Sequence, residues 1–204
     1  MNEPIAPGRG PRNHQTWILP ARELTLVCGH SNIGRLAHYF LPHVLLAGRQ
    51  VLYLDGANRF DPLLIARFAR DRSLAPAEFN RLIRIARAFA CFQLTELLRR
   101  VREFLRTFPV DLLIVTALPD LYFDEDVRER QAATAFESAL EGLQQLMHSQ
   151  LAIGVFSDAL SFNTPRRKFF QKLTAQENSV PKIETQADHH LTLQNVKEEP
   201  RLSS

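Results

Sequence analysis

The sequence predicts an α/β protein with a mainly parallel central sheet flanked by helices and an antiparallel β hairpin added near the C-terminus. Three observations carry this. Short apolar runs bounded by glycine recur along the chain, and longer amphipathic stretches separate them. After about residue 160 the pattern changes to apolar and polar residues in alternation.

Taken in order, "ELTLVCG" (23–29) and "RQVLYLDG" (49–56) are short, apolar and closed by glycine, as buried strands are. "VDLLIVTAL" (110–118) is a nearly unbroken Val/Ile/Leu run ending just before Pro119, which suits a parallel strand covered on both faces. "QLAIGVFSD" (150–158) is a further strand. Between them, "GRLAHYFLPHVLLAG" (34–48) is helical, with Pro42 expected to kink or shorten it. "DPLLIARFARDR" (61–72) opens with Asp61 as N-cap and Pro62 at the first helical position. "FQLTELLRRVREFLRTF" (92–108) places Leu94, Leu97, Leu98, Val101 and Leu105 on one face and arginines on the other. "VRERQAATAFESALEGLQQLMHSQ" (127–150) is a long amphipathic helix. "RRKFFQKLTAQ" (166–176) and "DHHLTLQNVK" (188–197) are expected as the strands of the edge hairpin.

With 204 residues, 45% hydrophobic and 23% charged, the chain is expected to form one domain over 16–197. A disordered tail is expected over 1–15 and a flexible one over 198–204. A formal charge of +3 is too small to imply a nucleic-acid partner by itself. No run approaches the ~18 apolar residues of a membrane span, and the opening residues lack the apolar core of a secretory signal. Cys28 and Cys91 stand alone, without metal-ligand spacing, and are expected as buried thiols of a reducing compartment. The expected location is the cytoplasm, or the nucleus in a eukaryote.

The first strand runs into "GHSNIGRL" (29–36), which keeps both glycines of the phosphate-loop pattern G-x-x-x-x-G-K-[ST], at Gly29 and Gly34. Such a loop works because glycines let backbone N–H groups wrap an anion at the start of a helix. Its lysine then reaches the terminal phosphates and its hydroxyl ligates Mg²⁺. Here Arg35 stands in place of the lysine, and Leu36 offers a metal no oxygen. Gly29, Asp55 and Thr116 would lie at the carboxyl ends of their strands, where open α/β sheets bind ligands.

The stretch from "VLYLDGANRFDP" through "IARAF" (85–89) to "VDLLIVTALPDLYF" resembles the ATPase core of RecA/RadA-type strand-exchange recombinases over roughly residues 22–195. Tyr53, Asp55, Asn58, Phe60 and Pro62 fall in register with the family's pattern. The resemblance implies a RecA-like P-loop core, and it also marks departures. A water-positioning glutamate of the family is Ala57 here, and its metal-linked aspartate is Thr116. With Arg35 and Leu36, four chemical positions are lost together. Loss of a general base alone costs ~10²–10⁴-fold in rate. The expectation is a non-catalytic accessory or regulatory protein in homologous recombination or DNA repair. It would need no cofactor, although ATP or ADP binding without hydrolysis stays open. Its expected partner is a RecA-family recombinase or related paralogue, with single-stranded DNA as a further candidate and no membrane contact. The alternatives are a divergent NTPase completed by a partner, and a nucleotide-independent DNA-binding module.

Three further groups complete the sequence-level sites. "TPRRKFFQK" offers Arg166, Arg167, Lys168 and Lys172 to phosphates and Phe169 to a base, against the alternative of a basic turn whose phenylalanines pack inward. Trp17, Ile18 and Leu19 resemble, in placement, the segment by which recombinase cores dock on a neighbour, against the alternative that Trp17 folds onto its own core. Asp120, Asp124, Glu125 and Asp126 form an acidic stretch expected to be solvated. The scattered histidines make no ligand set, so no metal is assigned, and no G-x-S-x-G elbow is present.

Overall fold

The computed structural model describes residues 17–147, 149–175, 181–185 and 191–195. The expected tails at 1–15 and 198–204 lie outside the described residues. Five strands make an all-parallel sheet: β1 (Leu24–Cys28), β2 (Val51–Asp55), β3 (Ile83–Arg87), β4 (Leu112–Thr116) and β5 (Ala152–Ser157). Their order is β3-β2-β4-β5-β1. Every residue of β1, β2, β4 and β5 is buried, as continuous Val/Ile/Leu runs require when both faces are covered. β3, at the edge, buries only Ile83 fully.

One face carries α1 (Ile33–Leu36), a 3₁₀ turn (Ala37–Phe40), α2 (Leu41–Leu46), α3 (Pro62–Arg70) and α4 (Pro76–Asn80), packed through Ile33, Phe40, Ile65, Phe68 and Phe79. The other carries α5 (Cys91–Thr107), α6 (Glu129–Met147) and α7 (Lys168–Thr174), packed through Leu94, Leu98, Phe136, Leu143 and Phe169. The expected 34–48 helix is thus three short pieces, and Pro42 sits in the first turn of the last one, where its missing N–H costs nothing. α3 starts as expected: Asp61 Oδ1 accepts from the N–H groups of Leu63 and Leu64 at 2.9 and 3.2 Å.

The expected strand at 166–176 is corrected. Pro165–Arg167 is a 3₁₀ turn capped by Thr164, and it leads directly into α7. Phe169 and Leu173, four apart, both enter the core, so the spacing satisfied is that of a helix. Beyond α7, β6 (Pro181–Thr185) lies beside β1 at Cys28, and β7 (Leu191–Asn195) pairs with it antiparallel. The 186–190 link of the expected hairpin lies outside the described residues. No helix among the described residues is long and apolar enough to cross a membrane.

Candidate functional site

In register, Asp55 faces both Arg87 and Thr116, Thr116 faces Phe156, and Cys28 faces Ser157. The carboxyl ends of all five strands therefore form one edge. The chain leaves β1 and β2 toward one face and β4 and β5 toward the other, which opens the sheet edge between β2 and β4 and between β5 and β1.

The glycine loop occupies this edge. Gly29 N–H donates to Ser157 O at 3.1 Å, and Asn32 takes a left-handed conformation (φ 57°), which asparagine tolerates better than most residues. Gly34 then passes so close to the neighbouring strands that a β-carbon on it would lie 3.1 Å from Ala57 Cβ and 3.8 Å from Thr116 Cβ. Thr116 Oγ1 accepts from Ala57 N–H at 3.0 Å, and Tyr53 OH donates to Gly34 O at 3.2 Å. The structure thus brings Gly34, Ala57 and Thr116 into contact, although they lie far apart in sequence. Leu36 turns partly into the core, and Arg35 is 58% exposed, its guanidinium 3.9 Å from Asp61. At that exposure the pair contributes little.

Asp55 is fully buried; Thr116 Oγ1 of this contact lies 3.4 Å from its Oδ1, and both of its oxygens also hold loop amides. Oδ1 accepts from Arg59 N–H at 2.9 Å and Oδ2 from Phe60 N–H at 3.0 Å, while Arg87 Nε lies 3.6 Å away. It folds the β2–α3 loop and pairs with the edge strand. His38 was missed as a functional residue in the sequence and holds the same loop from the other side. Its Nε2 accepts from Asp61 N–H, so the proton sits on Nδ1, which donates to Arg35 O; both bonds are 2.9 Å. Burial pushes the pKa of His38 down, in keeping with this neutral tautomer.

Asp158 was also missed. From the end of β5 its Oδ1 accepts from the N–H of Ile33, the first residue of α1, at 2.8 Å. That amide is one of the orphan donors at a helix start, the group by which a phosphate loop holds its anion. In this chain its partner is a carboxylate of the chain itself. Asp158 is braced in turn. Its own N–H donates to Asp120 Oδ2 at 2.8 Å, and Ser157 Oγ donates to Asp120 Oδ1 at 2.5 Å. Asp120 is therefore not the solvated acid expected; burial raises its pKa to about 6 against the opposing pull of these two donors. Asp124, Glu125 and Asp126 are exposed. One signal was available: β1 and β5 are both buried apolar runs, and side-by-side pairing puts "SD" next to "GH".

The other sequence-level sites are distributed differently. Arg166 is buried, and its guanidinium donates to the carbonyls of Tyr122, Asp124 and Val127, clamping the loop after β4. Phe169 packs on Phe136 with ring centroids 4.9 Å apart. Lys168 pairs with Glu129 and Lys172 with Glu137, which leaves Arg167 as the exposed cation of the group without an acidic partner among the described residues. Trp17 packs edge-on against Phe40 at 5.3 Å, and Leu19 packs on the same core; Ile18 stays exposed. Cys28 and Cys91 are both buried and reduced.

Fold and site together define an α/β protein with a glycine loop at the carboxyl edge of its parallel sheet, the loop's leading amide held by an internal aspartate. The chain matches no model of a known protein family, and no curated protein shows significant similarity to it.

Proposed function

We propose that this chain is a non-catalytic RecA-like protein, an accessory or regulator in homologous recombination or DNA repair that acts through protein contacts. The observation that carries the non-catalytic part is the contact of Gly34, Ala57 and Thr116 with Asp158 seated on the Ile33 amide. A phosphoryl-transfer site needs a water-orienting group and a metal ligand beside the phosphate-binding loop. At this contact Ala57 presents only a methyl group, the Thr116 hydroxyl is already bonded to Ala57 N–H and lies 3.4 Å from Asp55, and Asp55 is occupied by backbone amides. An entering phosphate would also have to displace a carboxylate of like charge.

The recombination part rests on the sequence resemblance carried by Tyr53, Asp55, Asn58, Phe60 and Pro62 and by "IARAF". The parallel sheet and the strand–loop–helix passage at residues 24–36 agree with a RecA-like core, and an edge hairpin built on β6 and β7 belongs to the same reading. The partner is a RecA-family recombinase or paralogue. DNA contact through 166–172 loses support, because Arg166 and Phe169 are buried and both lysines are paired.

Affinity capture from native lysate, followed by binding of the purified pair, tests this reading. A recombinase that co-purifies and whose ATPase or strand-exchange rate changes on addition of this chain supports it. ATP turnover that arises in this chain itself, with or without the partner, counts against it.

A further inference from the structure

We propose that the groove between α5 and α6 is a docking site for an acidic segment of a partner protein, anchored by an aromatic or large aliphatic side chain. The inference does not depend on the recombinase reading. The groove encloses about 460 Å³. Its α5 wall is the stripe Phe92, Thr95, Glu96 and Arg99, spaced three, four and seven apart as one helix face must be. Arg130, Thr134 and Ser138 stand at four-residue steps on the α6 wall.

Two features of this groove are not explained by the fold. Phe92 is 48% exposed, and Phe89, three residues upstream, is 65% exposed. Aromatic rings left in solvent beside a groove are typical of an interface awaiting its partner. The charges are also unbalanced. Glu96 is the only acid of the lining, and it is shared between Arg99 (3.3 Å) and Arg100 (2.5 Å). Arg130 has no carboxylate within ion-pair distance among the described residues. An occupant that supplies carboxylates would complete both arginines, and arginine with aromatic residues is the composition of binding hot spots. Phe92 and Arg99 are seven residues apart, about 10 Å along the helix. The occupant therefore needs its apolar anchor and its carboxylate about 10 Å apart, two helical turns or about three extended residues.

The test is selection of random dodecapeptides displayed against the full-length protein, followed by fluorescence anisotropy with the selected peptides. Enriched peptides are expected to carry Phe, Trp or Leu with two or more Asp or Glu residues at the spacing above. Arg130→Glu and Phe92→Ser should each weaken binding by about tenfold or more. Arg70→Glu, on α3 and the opposite face, should leave it unchanged. A peptide with its acids replaced by lysine should bind Arg130→Glu better than the native protein. Enrichment without acids, or binding indifferent to both groove variants, overturns the proposal. So does a groove that binds labelled oligothymidine in an Arg130-dependent way while taking no acidic peptide.

Discussion

Replacing Asp158 by alanine removes the acceptor that holds the Ile33 amide at 2.8 Å and leaves the brace from Asp120 with nothing to position. A hydrogen bond to an ionised acceptor is worth about 1.5–3 kcal/mol. Ile33 is buried but Asp158 is half-buried, so water takes over part of the lost bond and the expected cost is about 2 kcal/mol. For a domain of this size each kcal/mol moves Tm by about 2–4 °C, so Asp158→Ala should melt about 4–8 °C below the native protein. Asp158→Asn keeps an acceptor oxygen and loses the charge, and should cost about half as much. Urea unfolding gives the free energies, and amide hydrogen exchange locates the effect, with faster exchange at Ile33 and Gly34 and little change in β4. Neither variant should gain ATP turnover, because Leu36 and Ala57 supply neither metal ligand nor base and the Thr116 hydroxyl stays bonded to Ala57 N–H and Asp55. An alanine variant as stable as the native protein, with unchanged exchange in the loop, would refute the reasoning: the carboxylate would then not be what holds the loop.

The pH dependence of stability tests Asp120. The folded protein keeps its proton up to about pH 6, whereas the unfolded chain releases it near the ordinary 3.8. The group's contribution is therefore full below about pH 4 and falls as pH rises through 6, by about 3 kcal/mol in all. Asp120→Asn should remove that slope in urea titrations run between pH 4 and 7. Gly56→Ala should be far worse than Gly34→Ala: the new β-carbon at 56 would lie 2.4 Å from the Thr116 carbonyl oxygen, whereas at 34 the one tight contact is the Ala57 methyl at 3.1 Å, with Thr116 at an ordinary 3.8 Å. The expected costs are about 3 kcal/mol and under about 1 kcal/mol, read from melting curves. Arg166→Met strips three carbonyls of their donor and should cost about 3 kcal/mol, with raised protease sensitivity in the 118–128 loop.

Much of the sheet could be read from the chain, because a buried parallel strand leaves little choice of residue: "LLIVT" of β4 and "VLYLD" of β2 are continuous apolar runs. The start of α3 was equally plain, since Asp61 before Pro62 satisfies both orphan amides and proline's fixed φ. The segment around 166–174 misled because its short run Lys-Phe-Phe-Gln-Lys-Leu fits a period of two almost as well as one of 3.6. Only the burial of Phe169 with Leu173 decides between them. At the site, the gathering of Gly34, Ala57 and Thr116 was visible only through the family resemblance. The seat of Asp158 on Ile33 had only one indirect signal, the two buried apolar runs that end at Cys28 and Ser157. It depends on β5 lying next to β1, a pairing of segments more than a hundred residues apart that local pattern does not encode. For the same reason His38, a lone histidine in a helical run, gave no sign that its two ring nitrogens tie α1 to the β2–α3 loop.

The central claim, that this edge of the sheet keeps the form of a nucleotide site without its chemistry, is tested most directly by ATP turnover. The purified full-length protein is assayed with and without Mg²⁺, beside Gly34→Val as a blank for contaminating activity. The account predicts the same rate for all three, at the level of the blank. Mg²⁺-dependent turnover in the native protein that disappears in Gly34→Val would contradict it.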